Sequence, residues 1–201
     1  MASAYDKVSK RPLKAILIGG FLLGFVFFGG VVGAFHYMSP DYVVSVLSSE
    51  NFQKRQWAVD QLILKGTRSG KPSLAVALDE KADPESRRLA IFVLGEIHYK
   101  EATPHLMGFF KGADEVLGAQ SAYALGRMGD PALAHELVAN YPQAPKGVQL
   151  KVIAALGELG GDPEGRELLL KEAKQNGDTT VQQAARYSLQ KIQAGVTASA
   201  Q

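Results

Sequence analysis

Five leucines, Leu62, Leu94, Leu125, Leu156 and Leu189, stand 32, 31, 31 and 33 residues apart. A period this regular over most of a chain points to one supersecondary unit repeated and stacked, because a single unit of that size cannot bury its own apolar face. Around each leucine the pattern is that of a helix face, with apolar residues three and four positions before it and three after, as in Ala90, Ile91, Leu94 and Ile97. In the three middle units a glycine follows directly: Gly95, Gly126 and Gly157. Glycine inside a helix costs about 1 kcal/mol, so its recurrence at equivalent places calls for a packing reason, the close approach of a neighbouring helix. The outer units carry Ile63 and Gln190 instead, which suits capping repeats.

Punctuation recurs as well. Asp83-Pro84, Asp130-Pro131 and Asp162-Pro163 each set a capping carboxylate before a proline tolerated in a first helical turn. The first is expected to open the second helix of its unit, and the other two the first helix of the next. Each unit therefore reads as two antiparallel helices. The residues after position 50 are rich in Ala, Leu, Lys, Glu and Gln, which agrees. The expectation is an all-α fold, with an α-solenoid of about five helix pairs over residues 39–193 and a small, polar, disordered tail over 194–201.

The stretch from Asp83 through Arg87, Arg88, Leu94, Gly95, Glu96 and Ile97 to Ala102, Pro104 and Leu106 resembles the short bacterial HEAT repeat, also called the phycobilisome-lyase HEAT-like repeat. Tyr123–Leu133 and Ile153–Pro163 resemble the same pattern, and the likeness spans roughly residues 41–193. It implies a HEAT-type solenoid that binds other proteins. It is specific for fold and weak for function, because function resides in sites. The bilin lyases that the resemblance brings in are soluble, whereas this chain carries a long apolar segment.

That segment runs from Ala15 to Phe35 without a charge, about the ~20 residues that a helix needs to cross ~30 Å of hydrocarbon. Lys7, Lys10, Arg11 and Lys14 precede it against Asp6, giving +3 in the first fourteen residues of a chain whose net charge is +2. The expected organisation is a cytoplasmic basic arm over 1–14 and a single transmembrane helix over 15–38, with His36 and Tyr37 at the interface. The repeat domain is then extracytoplasmic: periplasmic, at a bacterial inner membrane, as the bacterial repeat implies. A cleaved signal peptide ending near Val31–Gly33 is the competing reading, and it requires an apolar run shorter than this one. Gly20 with Gly24, and Gly29 with Gly33, are small-xxx-small pairs that let another membrane helix approach, although glycine is also common in such helices.

In a solenoid the second helices line one continuous surface, so equivalent positions are read down the stack. Positions five before, two before and two after each repeating leucine form one stripe, which includes Gln120 and Lys151 and from which Trp57, Phe92, Glu96, Tyr123, Arg127, Glu158, Tyr187 and Lys191 stand out. Aromatics and arginine often carry interface energy, so this ridge is the candidate partner-binding face. The same pattern fits aromatics that fill gaps between repeats beside a solvated charged face.

No phosphate loop, dinucleotide fingerprint, nucleophile elbow or zincin motif occurs, and there is no cysteine. His98 and His105 flank an expected inter-helix turn, where two neutral ligands without a carboxylate make a poor metal site. No catalytic, cofactor-binding or metal site is expected, and the near-neutral repeat region argues against nucleic acid. The sequence thus reads as a membrane-anchored scaffold, an accessory subunit whose partners are other, membrane-embedded protein subunits. A free-standing tether for a soluble partner is the alternative, and a lyase-like enzyme the reading least favoured.

Overall fold

A computed structural model describes residues 39–160 and 162–199, and every regular element among them is helical. The basic arm, the apolar segment with Gly20, Gly24, Gly29 and Gly33, and the interfacial His36 and Tyr37 lie outside the described residues. None of the described helices is long and apolar enough to cross a membrane.

The helices follow in pairs. The first helices of the pairs are α1 (Pro40–Ser45), α3 (Gly70–Leu78), α5 (Thr103–Lys111), α7 (Leu133–Asn140) and α9 (Pro163–Gln175). The second helices are α2 (Phe52–Lys65), α4 (Pro84–Glu96), α6 (Glu115–Arg127), α8 (Lys146–Leu159) and α10 (Thr179–Ser199). The second helices stack in chain order, α4 on α6, α6 on α8 and α8 on α10, with each first helix against its own partner. This is the α-solenoid that the periodicity predicts.

Capping residues set most of the starts. Ser39, Asp83 and Asp162 each accept from a backbone N–H of the following turn, with proline next in line. Asp130-Pro131 departs from the expected pattern: Asp130 Oδ1 accepts from Ala132 N at 3.1 Å, which makes a turn, and α7 starts only at Leu133. Asn51 and Asp114 cap α2 and α6, where no proline marks the start.

The repeating leucines Leu62, Leu94, Leu125 and Leu156 are buried, as are Ala90, Ile91 and Ile97 around Leu94. Leu189 is only half-buried, with no further helix pair packed on it among the described residues. The glycines after the middle leucines close the seams between second helices. A methyl group on Gly95 would stand 2.7 Å from the Cα of Ala124, and one on Gly126 2.5 Å from the Cα of Ala155. At Gly157 it would meet the Ser188 side chain at 2.8 Å, whose hydroxyl donates across the seam to the Ile153 carbonyl at 2.9 Å. Two positions therefore act together, glycine after the leucine and a small residue before the leucine of the next unit.

The position four after each leucine ends the second helix. Gly66, Gly129 and Gly160 adopt positive φ there, +60°, +68° and +70°, a conformation that reverses the chain and is nearly free of cost only for glycine. His98 holds the same place after α4 at φ 52°, with Tyr99 N donating to Leu94 O and His98 N to Gly95 O. In the last unit the place belongs to Gln193, and α10 runs on to Ser199, well into the residues expected to form a disordered tail. Without a left-handed residue or a proline, nothing in Gln193–Ser199 stops a helix already under way.

A candidate interaction ridge on the second helices

The second helices carry their polar side chains on one accessible flank, and the geometry turns the expected ridge into a chain of contacts. Glu96, near the end of α4, accepts from Arg127 of α6 through Nε at 2.9 Å and Nη2 at 3.0 Å, and from the Tyr123 hydroxyl at 3.0 Å. Arg127 Nη1 stands 3.7 Å from Glu158 of α8, and Glu158 is paired with Lys191 of α10. Glu96, Arg127, Glu158 and Lys191 thus form a rail of alternating charge across four successive helices.

A second row runs beside it. The rings of Phe92 and Tyr123 are stacked with centroids 5.8 Å apart, and the Lys151 ammonium lies 5.8 Å from the Tyr123 centroid. Arg88 donates to Gln120 at 3.2 Å while holding Glu85 at 2.7 Å. The bidentate contact with Glu96 raises the Arg127 pKa further and locks its charge. Burial, reinforced by Glu96, pushes the Tyr123 phenol up, so it stays a donor.

Of the eight ridge residues, the structure joins Phe92, Glu96, Tyr123, Arg127, Glu158 and Lys191 in one network. Trp57 lies on α2, outside this network, half-buried against the core and lining a cleft with Tyr42. Tyr187 is 69% exposed at the far end of the stack. Gln120 and Lys151, from the same stripe, complete the network together with Arg88, which lies outside the stripe. The alternation of Glu96, Arg127, Glu158 and Lys191 at one position of consecutive repeats was the available signal, since charges of opposite sign on adjacent stacked helices meet. His98 is taken up by its helix-ending role, and His105 lies exposed on α5.

Residues 71–145 match the family model of HEAT repeats. Over that stretch the helix pairs are similar to HEAT repeats. No curated protein matches it in sequence. Among the solved structures similar to this HEAT-like array is the complex of CpcE and CpcF of phycocyanin lyase from Nostoc sp. PCC7120, 20% identical with a TM-score of 0.58. The match covers 76% of this chain and 64% of that one, so this chain spans less than two thirds of its neighbour. At that identity the likeness is one of fold. It nonetheless corrects one expectation: the lack of a familiar catalytic motif does not set the chain apart from enzymes, because a phycocyanin lyase is built on this same architecture.

Proposed function

We propose that this HEAT-like array is the protein-binding part of a membrane-anchored scaffold, an accessory subunit held by the apolar segment Ala15–Phe35 within a larger membrane assembly. The observation that carries the reading is the flank of the second helices, where polar and aromatic side chains form one continuous surface from α4 to α10. The rail residues satisfy one another and keep the surface rigid. Partner affinity then rests on the side chains that stand out from it, Lys151 and Tyr187, at little ordering cost. HEAT repeats support a protein partner, and the similar solved structure is itself a complex of two proteins.

The test is purification of the full chain in mild detergent. A stoichiometric set of membrane subunits is expected, and Lys151→Ala with Tyr187→Ala should lose it at an unchanged melting temperature. Recovery of the chain alone from its native membrane would refute the accessory-subunit role and favour the free-standing tether.

One observation favours a second reading. The phycocyanin lyase likeness supports an enzyme, or a subunit of one, built on paired repeat chains. A phycocyanin lyase assay on the purified chain, alone and with its co-purifying partner, tests it, and inactivity in both removes it.

A further inference from the structure

The middle of the array carries a groove along α8. Residues seven apart on a helix share a face, and Val116 with Tyr123 on α6, and Gly147 with Ala154 on α8, stand in matching places on the two helices. Contacts fix the register. A methyl group on Gly147 would lie 2.9 Å from Glu115 Oε1 at one end, and the Lys151 ammonium lies over the Tyr123 ring further along. On the other side Tyr187 precedes Lys191 by four residues, as Ala154 precedes Glu158, and Lys191 pairs with Glu158. Glycine and alanine on α8 are thus flanked by Val116, 57% exposed, and Tyr123 on α6, and by the exposed Tyr187 on α10. The aromatic row dips at the same point. Phe92 stacks on Tyr123, the next place in the row is the exposed Ala154, and the row resumes at Tyr187.

We propose that a helix of a partner protein lies along α8, setting an aromatic side chain on Ala154, a carboxylate on Lys151 and a cation on Glu115. The inference rests on the scaffold reading above and names the kind of partner that the flank takes. Charge selects this occupant. Arg88, Arg127 and Lys191 are each matched by a carboxylate, whereas neither Lys151 nor Glu115 has an ion-pair partner among the described residues. Lys151 lies three residues from Ala154, and Gly147, which Glu115 overhangs, lies four residues further on. Each step is one helical turn, so the partner presents aromatic, acid and base at one-turn intervals, the spacing at which side chains share a helix face. Lys151 is already held over Tyr123, which lowers the cost of ordering it when a carboxylate arrives. A ring set down between Tyr123 and Tyr187 gains aromatic contact on both sides, as an interface anchor does.

The probe is a fluorescein-labelled helical peptide built on alanine and glutamine, with phenylalanine, glutamate and lysine at successive turns of one face. It is titrated by anisotropy into the full chain in detergent, and saturable binding is expected. Ala154→Tyr fills the dip from within and should weaken binding by more than about tenfold at an unchanged melting temperature. Lys151→Glu should weaken it by about tenfold, and a peptide with lysine in place of its glutamate should restore binding to that variant. The charge swap carries the test if Ala154→Tyr does not fold. Absence of saturable binding to the wild-type chain, or equal binding by Ala154→Tyr, overturns the proposal. Conversion of a dimer of the chain to a monomer by Ala154→Tyr puts a second copy in the groove, and overturns it as well. Purification from the native membrane separates this inference from the reading beneath it. Recovery of the full set of membrane subunits with Ala154→Tyr refutes the groove and leaves the scaffold standing. Recovery of the wild-type chain alone refutes the accessory-subunit reading, and the peptide titration still decides the groove.

Discussion

Adding one methyl group at Gly126 tests whether the glycine seams govern the stack. The added Cβ lies 2.5 Å from the Ala155 Cα, and ordinary contact begins at 3.4 Å, so α6 and α8 must part by roughly 1 Å. The obstacle is backbone, which cannot rotate away as a side chain would, and the cost falls toward the upper end of the ~1–3 kcal/mol typical of overpacking. The same shift stretches the 3.7 Å Arg127–Glu158 contact, while alanine returns about 1 kcal/mol of helix propensity. The net loss is about 2 kcal/mol. Gly108 is the control: it lies within α5, and a Cβ there meets nothing within 4 Å, so Gly108→Ala should gain about 1 kcal/mol. About 3 kcal/mol should therefore separate two chemically identical substitutions. Urea unfolding of the full chain in detergent, followed by far-ultraviolet circular dichroism and by Trp57 emission, measures both. In a stacked array the seam also transmits cooperativity, so in Gly126→Ala the Trp57 transition should separate from the helical one. Equal stability of the two variants, with coincident transitions in both, would refute the reasoning.

Other expectations follow from single sites. His98→Gly should raise stability by about 1 kcal/mol in the same urea series, because the left-handed conformation costs a side-chain-bearing residue about that much. Ser121 stands where three of the other repeats have alanine, and its buried hydroxyl has no hydrogen-bond partner; Ser121→Ala should stabilise by up to roughly 1 kcal/mol, read as a shift in midpoint. Arg127→Ala leaves Glu96 and Glu158 facing each other and should cost about 1–2 kcal/mol, a loss that shrinks when salt is added. Hydrogen bonding from Lys146 holds the Asp178 carboxyl down to about 2, against an ordinary 3.8. That stabilisation is present above pH 3.8 and is lost as pH falls toward 2; Lys146→Met should flatten the acid limb of a pH titration followed by helicity.

The helix pairs, their buried leucines and the glycine seams are legible in the sequence because each is a local pattern repeated at a fixed distance, and repetition turns a weak signal into a strong one. What repeats imperfectly is harder to read. Asp130-Pro131 has the residues of a helix start but spends them on a turn, and the two uses differ only in backbone angles. The continuation of α10 follows from a missing glycine at Gln193, legible only once positive φ at Gly66, Gly129 and Gly160 shows what that position does. The ridge was visible as a row of positions, but its internal pairing depends on distances across the seams. Those distances are set by Gly95, Gly126 and Gly157 rather than by the ridge residues themselves.

The seams are not all alike, and the difference gives the array a gradient of mechanical compliance. Between α2 and α4 the small pair is replaced by Ile63 and Val93, and the two helices pack less extensively than those further along. Later joints, with backbone close against backbone at Gly95 and Gly126, a small serine against Gly157 and a charge bridging each one, resist bending as a girder does. The first joint is held by side chains, which slide. Bending is therefore expected to collect at the first joint, with the later pairs moving as one stiff unit and the charged rail across them undistorted.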